Sequence, residues 1–246
     1  RNIYYANLVR KIARQIKKTG LKLEDGDKTA QSKEMKVWVY WDSGFKTAPP
    51  IVQLCAERLK TYNNIQVTFL DKYNLADHIS IPEYIEQKFA DGKISKAHFS
   101  DLLRLELLYT HGGVWLDATV LLTGETFPQE LLGDDLFFYA MSKPSSNGNP
   151  LYISSWAITS PPGHPVLSIV RQYLLDYWKS HNQLIDYFLF HLTICATMNV
   201  YTEIVPKNLG FYNNSSPHIL LLNYNKPYSH ELYDKIIAIS DIHKLS

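Results

Sequence analysis

Between residues 97 and 123 the pattern of apolar and polar positions reads as a helix, a glycine stop and a short buried strand. Leu102, Leu103, Leu105, Leu107 and Leu108 place apolar groups on nearly every side of a helix, which predicts burial on most faces. Ser100 stands before that run as an N-cap, its hydroxyl suited to accept from the free N–H groups of the first turn. Gly112 and Gly113 occupy the place where a helix end favours positive φ. Val114, Trp115 and Leu116 then read as a short central strand. The polar exceptions carry the chemistry. Asp101 and Arg104 lie three apart on one helix face, and the leucines around them argue against exposure. Asp117 interrupts the strand-like run. A carboxylate there is costly unless it is paired, hydrogen-bonded or bound to a cation. The carboxyl ends of strands are also where open α/β sheets bind ligands.

Two strand–turn–helix units precede this stretch. Val37–Trp41 is a strand ended by Asp42-Ser43-Gly44, and Pro49 and Pro50 open a helix through Ile51 to Leu59. Ile65–Leu70 is the next strand, followed by Asp71-Lys72-Tyr73-Asn74. That succession argues for a parallel sheet in one α/β domain, which 246 residues can build comfortably. Further along, Leu136–Ala140 and Leu151–Thr159 are strands, Val166–Lys179 is a helix, and Asp186 to His191 lie on the next helix. His191, in a strongly apolar segment, reads as a satisfied core histidine. Residues 142–150 are loop, as a lid, an acceptor loop or a plain surface connection, and 203–229 are mostly loop.

The N-terminal residues 1–23 read as a basic amphipathic helix. Ile3, Tyr4, Leu8, Ile12 and Ile16 form a stripe, and Arg10, Lys11, Arg14, Lys17 and Lys18 surround it. The stripe suits docking on the chain's own domain, on a second copy in a homodimer, or peripherally on an anionic membrane surface. Residues 24–36 read as an exposed linker, so the domain proper spans 37–246.

Composition narrows the classes. A net charge of +1 gives no overall field for nucleic acid. The 17 tyrosines, 10 phenylalanines and 5 tryptophans suit either a large core or surfaces on which sugars stack. Cys55 and Cys195 read as buried free thiols, which fits a reducing, cytoplasmic compartment. No run approaches the 18 or so apolar residues of a transmembrane helix.

Ser100-Asp101-Leu102-Leu103-Arg104, taken with Gly112-Gly113-Val114-Trp115-Leu116-Asp117-Ala118-Thr119, resembles the bacterial capsular polysaccharide synthesis family of sugar transferases. More distantly it is similar to glycosyltransferases with a DXD sugar-binding motif. The resemblance runs from about Val37 to the last residues. It implies a GT-A-like domain, a Rossmann-like mixed sheet with helices on both faces. It also implies a hexosyltransferase using UDP-galactose or UDP-glucose, with retention, on a lipid-linked or oligosaccharide acceptor of a growing capsular or surface polysaccharide. That work would be done in the cytoplasm, at the inner face of the cell membrane where a peripheral contact is made.

The resemblance also distributes roles. Trp41 and Asp42 would meet the base or ribose, with Asp71 and Asn74 as further nucleotide contacts, although capping of the turn explains those two equally well. Ser100 and Asp101 would contact the nucleotide, Arg104 the diphosphate and sugar, and Ser155 and Trp156 the donor sugar. Asp186 would be an acidic group facing the reacting sugar, and Lys244 would lie near the diphosphate. Asp117, Thr119 and His243 would hold Mn²⁺ or Mg²⁺, a Lewis acid for the departing diphosphate. One position departs from the motif: DXD would put a second acid at 119, and this chain has Thr119. That leaves open a weakly held metal, replacement of much of its role by Arg104 and Lys244, or a catalytically degenerate sugar-binding or assembly subunit. A nucleotidyltransferase is disfavoured, because Asp42-Ser43-Gly44-Phe45-Lys46 makes a poor phosphate loop.

Overall fold

The computed structural model describes residues 2–20, 35–140, 151–206 and 213–246. Helix α1 (Asn2–Thr19) is followed by β1 (Met35–Tyr40), α2 (Pro50–Leu59), β2 (Ile65–Leu70), α3 (Glu83–Ala90) and α4 (Lys96–His111). Then come β3 (Gly113–Leu116), β4 (Val120–Leu122), β5 (Phe137–Ala140), β6 (Ile153–Ser160), α5 (Pro165–Ser180) and α6 (Leu189–Val200). The chain closes with α7 (Ile219–Asn223), α8 (His230–Ile237) and β7 (Ile242–Lys244).

Five strands form one sheet in the order β2-β1-β3-β6-β5. β1 runs parallel to β2 and β3, while β6 runs antiparallel to β3 and β5, so the sheet is mixed. The two strand–turn–helix units do give the expected parallel pairs. In this sheet only β6 runs against the other four strands. β4 and β7 form a separate antiparallel pair in which Val120 faces Lys244.

Helices cover both faces. Trp38, Leu70, Trp115, Phe138 and Ile158 pack under α1, α3, α4, α5 and α6, whereas Val37, Val39, Val114, Leu116 and Ala157 pack against α2 and the β4–β7 pair. Alternation along β1 and β3 produces this division, since neighbouring residues of a strand point to opposite faces. Helix α4 sits under the middle of the sheet, and Leu102, Leu103, Leu105, Leu107 and Leu108 are all buried, as their spread around the helix requires. Each such leucine contributes about 1.5–3 kcal/mol relative to exposure. Glu106, on the same helix and also buried, is held by Arg171 of α5 at 2.8 Å.

Three boundaries differ from the sequence reading. Helix α4 begins one turn early: its N-cap is Ser95, whose hydroxyl accepts from the His98 N–H at 3.2 Å. Ser100 is therefore inside the helix, and its hydroxyl is free to face Arg104. Asp186 lies ahead of α6 instead of on it. The described part of 203–229 is more helical than expected, containing α7 and a 3₁₀ turn at Ser216–His218, while 207–212 lie outside the described residues. The linker over 24–34 and the loop at 142–150 lie outside the described residues, while Met35 and Lys36 already belong to β1.

Helix α1 packs on α6 with Tyr5, Leu8, Val9, Ile12 and Ile16 buried. Its apolar stripe is thus used within the domain, and Ile3 and Tyr4 remain exposed. No described helix is long and apolar enough to cross a membrane.

Candidate active site

The carboxyl ends of the parallel strands β1 and β3 open into a cavity of about 500 Å³. Trp41, Asp42 and Ser43 enter it from the end of β1, and Ser100, Asp101 and Arg104 from α4. Asp117, Ala118 and Thr119 follow β3, Ser155 comes from β6, His191 from α6 and Lys244 from β7.

Asp117 is at the centre. Its backbone N–H donates to Trp156 O at 2.8 Å, which fixes the residue just beyond the last β3–β6 pair. Oδ1 accepts from Trp115 Nε1 at 2.9 Å and from Arg104 Nη2 at 3.2 Å. Oδ2 faces Lys244 Nζ at 3.1 Å. Burial works to raise the pKa of this carboxyl, but Lys244 and Arg104 overcome it and hold the group below the usual carboxylate range.

Arg104 is fixed from several sides. Nη1 donates to Ser155 O at 2.6 Å and lies 3.4 Å from Asp101 Oδ1; Nη2 also donates to Ser100 Oγ at 3.2 Å. The guanidinium lies over the Trp115 ring, 5.0 Å from its centre. Asp101 has a second partner in His98, whose Nδ1 faces Oδ2 at 3.4 Å. The other nitrogen of His98 accepts from Trp178 Nε1 at 3.0 Å, which assigns the imidazole proton to Nδ1. A line of polar contacts therefore runs from Trp178 through His98, Asp101, Arg104 and Asp117 to Lys244. Partners along this line let polar side chains persist among leucines, although the buried His98 Nδ1 makes no hydrogen bond of its own. His98 was not singled out from the sequence, although its position three before Asp101 on a helix was a usable signal.

Several expected residues take other roles. Asp71 Oδ1 accepts from the N–H groups of Tyr73 and Asn74 at 2.8 and 3.2 Å, and Asn74 Oδ1 accepts from Asp71 N at 2.9 Å. Both cap the turn after β2, and neither lines the cavity. Trp156 alternates with Ser155 to the opposite sheet face, where it stacks on Tyr139 and donates to Asn214 Oδ1 at 2.6 Å. Asp186 Oδ1 accepts from Phe188 N at 2.8 Å in the turn ahead of α6; its neighbour Tyr187 reaches the cavity instead.

Of the expected metal set, Asp117 and Thr119 are brought together and His243 is not. Lys244 points to Asp117 and Thr119, so its strand neighbour His243 points away and lies 3.1 Å from Thr123 Oγ1. Both oxygens of Asp117 already have cationic partners, and Thr119 Oγ1 accepts from Lys244 Nζ at 2.9 Å. Among the described residues, no group of three His, Cys, Asp or Glu side chains is arranged to hold a metal. This donor set does not fit a resident Mn²⁺ or Mg²⁺.

His191 departs from the satisfied core histidine that base rates favour. It lines the cavity, yet its buried Nδ1 has no hydrogen-bond partner, and its ring is flanked edge-on by Phe188 and Phe190. Burial pushes its pKa down to about 4, so the ring is neutral at ordinary pH. A neutral buried histidine stabilises the fold fully above the ordinary histidine pKa and loses that contribution as pH falls through the folded value. Wild-type stability, measured against His191→Phe, is expected to fall by roughly 3 kcal/mol between about pH 6.5 and about pH 4. A difference that stays flat over this range in urea titrations would contradict the buried neutral ring.

Comparison with known proteins brings up glycosyltransferases. The chain is 29% identical over 126 residues to the glycosyltransferase afumC of Aspergillus fumigatus, covering 43% of this chain and 32% of that protein. It is 28% identical over 95 residues to the O-glycosyltransferase braB of Annulohypoxylon truncatum, covering 35% and 23%. The chain thus spans a third or less of the length of these curated relatives. Among solved structures, the PaToxG glycosyltransferase aligns over 82% of this chain and 79% of its own at 14% identity, with a TM-score of 0.44. The apo form of the glycosyltransferase GlyE of Streptococcus pneumoniae TIGR4 aligns over 87% and 54% at 13% identity, with a TM-score of 0.42. The sequence model of the family described as capsular polysaccharide synthesis protein matches residues 2–246, and the chain belongs to that family.

Proposed function

We propose that the protein is a GT-A-like glycosyltransferase that moves a hexose from a nucleotide-sugar, UDP-galactose or UDP-glucose, to a growing capsular or surface polysaccharide. The observation that carries this reading is the convergence of Arg104 and Lys244 on Asp117 at the carboxyl ends of the parallel strands. Sugar transfer from such a donor has one main electrostatic demand, because the diphosphate gains negative charge as it departs. Fixed cations aimed at that charge lower the barrier without having to reorganise. Arg104 offers a planar fork suited to phosphate oxygens, and Lys244 a compact charge. Trp41 and Asp42 line the cavity at the end of β1 and would meet the base and ribose. Ser155 and the neutral His191 offer hydrogen bonds to sugar hydroxyls. The family and the names of the curated relatives support transfer of a sugar; retention, and an acceptor that is lipid-linked or an oligosaccharide, complete the reading.

A panel of nucleotide-sugars scored for nucleotide release, together with UDP titration calorimetry, tests it. Release from a UDP-hexose and saturable UDP binding are expected. No release across the panel with no UDP binding would overturn the reading. Glycan binding in that circumstance would instead favour a sugar-binding or assembly subunit.

A further inference from the structure

We infer that Lys244 occupies the cation position of this site, and that the protein binds and releases its diphosphate without a divalent ion. The inference rests on the donor reading given above and adds the identity of the charge that meets the leaving group. Its basis is where the ammonium sits. Lys244 Nζ lies 3.1 Å from Asp117 Oδ2 and 2.9 Å from Thr119 Oγ1. These are the two side chains, two residues apart beyond β3, that a DXD pair would turn toward a shared cation.

Charge matching explains the threonine. Two carboxylates at 117 and 119 would present two negative charges, suited to a divalent ion. One carboxylate and one hydroxyl present a single negative charge, suited to one ammonium. An aspartate at 119 would leave Lys244 under-neutralising the pair, whereas a divalent ion added beside Lys244 and Arg104 would meet two like charges at close range. An ammonium carries three protons. Asp117 and Thr119 take two, and the third is left for a phosphate oxygen in the cavity that Lys244 lines. Register holds the lysine in place. Val120 pairs with Lys244 and Leu122 with Ile242, so parity along β7 sends residue 244 to the site and residue 243 to Thr123. Arg104 approaches from the other side of Asp117, at 3.2 Å from Oδ1, and the two cations flank one carboxylate.

In the step this serves, the bond between the anomeric carbon and the β-phosphate oxygen breaks and leaves its electron pair on that oxygen. The acceptor hydroxyl oxygen bonds the anomeric carbon, and its proton leaves with the diphosphate. Lys244 and Arg104 stabilise the charge on the departing oxygen.

UDP titration of the purified full chain, in EDTA and in Mn²⁺, tests the inference. The dissociation constant is expected to agree within about twofold between the buffers, whereas Lys244→Met is expected to weaken binding at least about tenfold in both, as loss of one charge-assisted hydrogen bond predicts. A double variant carrying Thr119→Asp and Lys244→Met is expected to regain affinity only when Mn²⁺ is added. Weakening of wild-type binding by tenfold or more in EDTA, with recovery in Mn²⁺, would overturn the inference while leaving the donor reading intact. So would a Lys244→Met protein, shown folded by its thermal transition, that binds UDP like the wild type, or a double variant indifferent to Mn²⁺. Absence of UDP binding to the wild type in both buffers would overturn the donor reading itself, and this inference with it.

Discussion

Asp117→Asn is expected to lower turnover of the nucleotide-sugar by at least about a hundredfold, the scale seen when one preorganised electrostatic contact to a developing charge is lost. The substitution keeps the size of the side chain, and its amide oxygen can still accept from Trp115. It removes the charge that aligns two cations. Asparagine must also turn its NH₂ toward either Arg104 or Lys244, both of which can only donate. The cation facing that NH₂ loses its acceptor and moves. Because the cations hold the Asp117 pKa below the usual range, the carboxylate is ionised throughout neutral and mildly acidic pH, and the deficit of the variant is expected to be independent of pH there. Breaking a buried ion pair from one side costs about 3–5 kcal/mol. Kinetics are therefore to be measured well below the thermal midpoint of the variant, where the folded fraction is complete. Turnover within tenfold of the wild type, on a protein shown folded, would mean that Asp117 does not organise the site.

Gly113→Ala is expected to destabilise the fold by about 3–5 kcal/mol, the sum of left-handed backbone strain and a packing collision. Gly113 has φ +96°, and a β-carbon there would lie 2.5 Å from the Lys36 carbonyl oxygen and 3.2 Å from its carbon. That neighbour is backbone of β1, which is paired to β2 on one edge and to β3 on the other, so it has nowhere to retreat. Gly92→Ala supplies the control. Its φ is +71°, and nothing lies within 4 Å of the added carbon, so it reports strain alone, about 1–2 kcal/mol. Urea midpoints of the two variants separate the terms. Equal losses at the two positions would show that β1 and β3 can part without cost. Since Asp117 directly follows β3, partial separation of these strands would also loosen the site.

The site was legible in the sequence where its determinants are local. The leucine run, the paired glycines and the awkward Asp117 follow one another within a few turns, and their meaning depends on periodicity and burial alone. Asp101 and Arg104 are three apart on a helix, so their shared face needed no tertiary information. The capping error was of the same local kind: Ser95 and Ser100 are both good caps ahead of an apolar run, and only the hydrogen bond to His98 separates them. What could not be read was parity. His243 and Lys244 are neighbours on a strand, and a slip of one residue in the β4–β7 register would exchange their faces. Ser155 and Trp156 pose the same question on β6. Asp71, Asn74 and Asp186 each offered a ligand role or a turn role, and hydrogen bonds to nearby N–H groups occupy all three. His191 went unrecognised because most buried histidines find a partner, and this one meets phenylalanine edges.

Lys244 donates to Thr119 across 125 positions of chain, through a strand held to β4 by three residue pairs. Contacts of such long range bring back little until the intervening chain is ordered, because the entropy of closing the loop must be met first. Helix α4, the Gly-Gly turn and Asp117 are close in sequence and can be in place early. A refolding chain is therefore expected to recover its helical content before any affinity for a nucleotide, the return of affinity marking the point at which β7 finds its register.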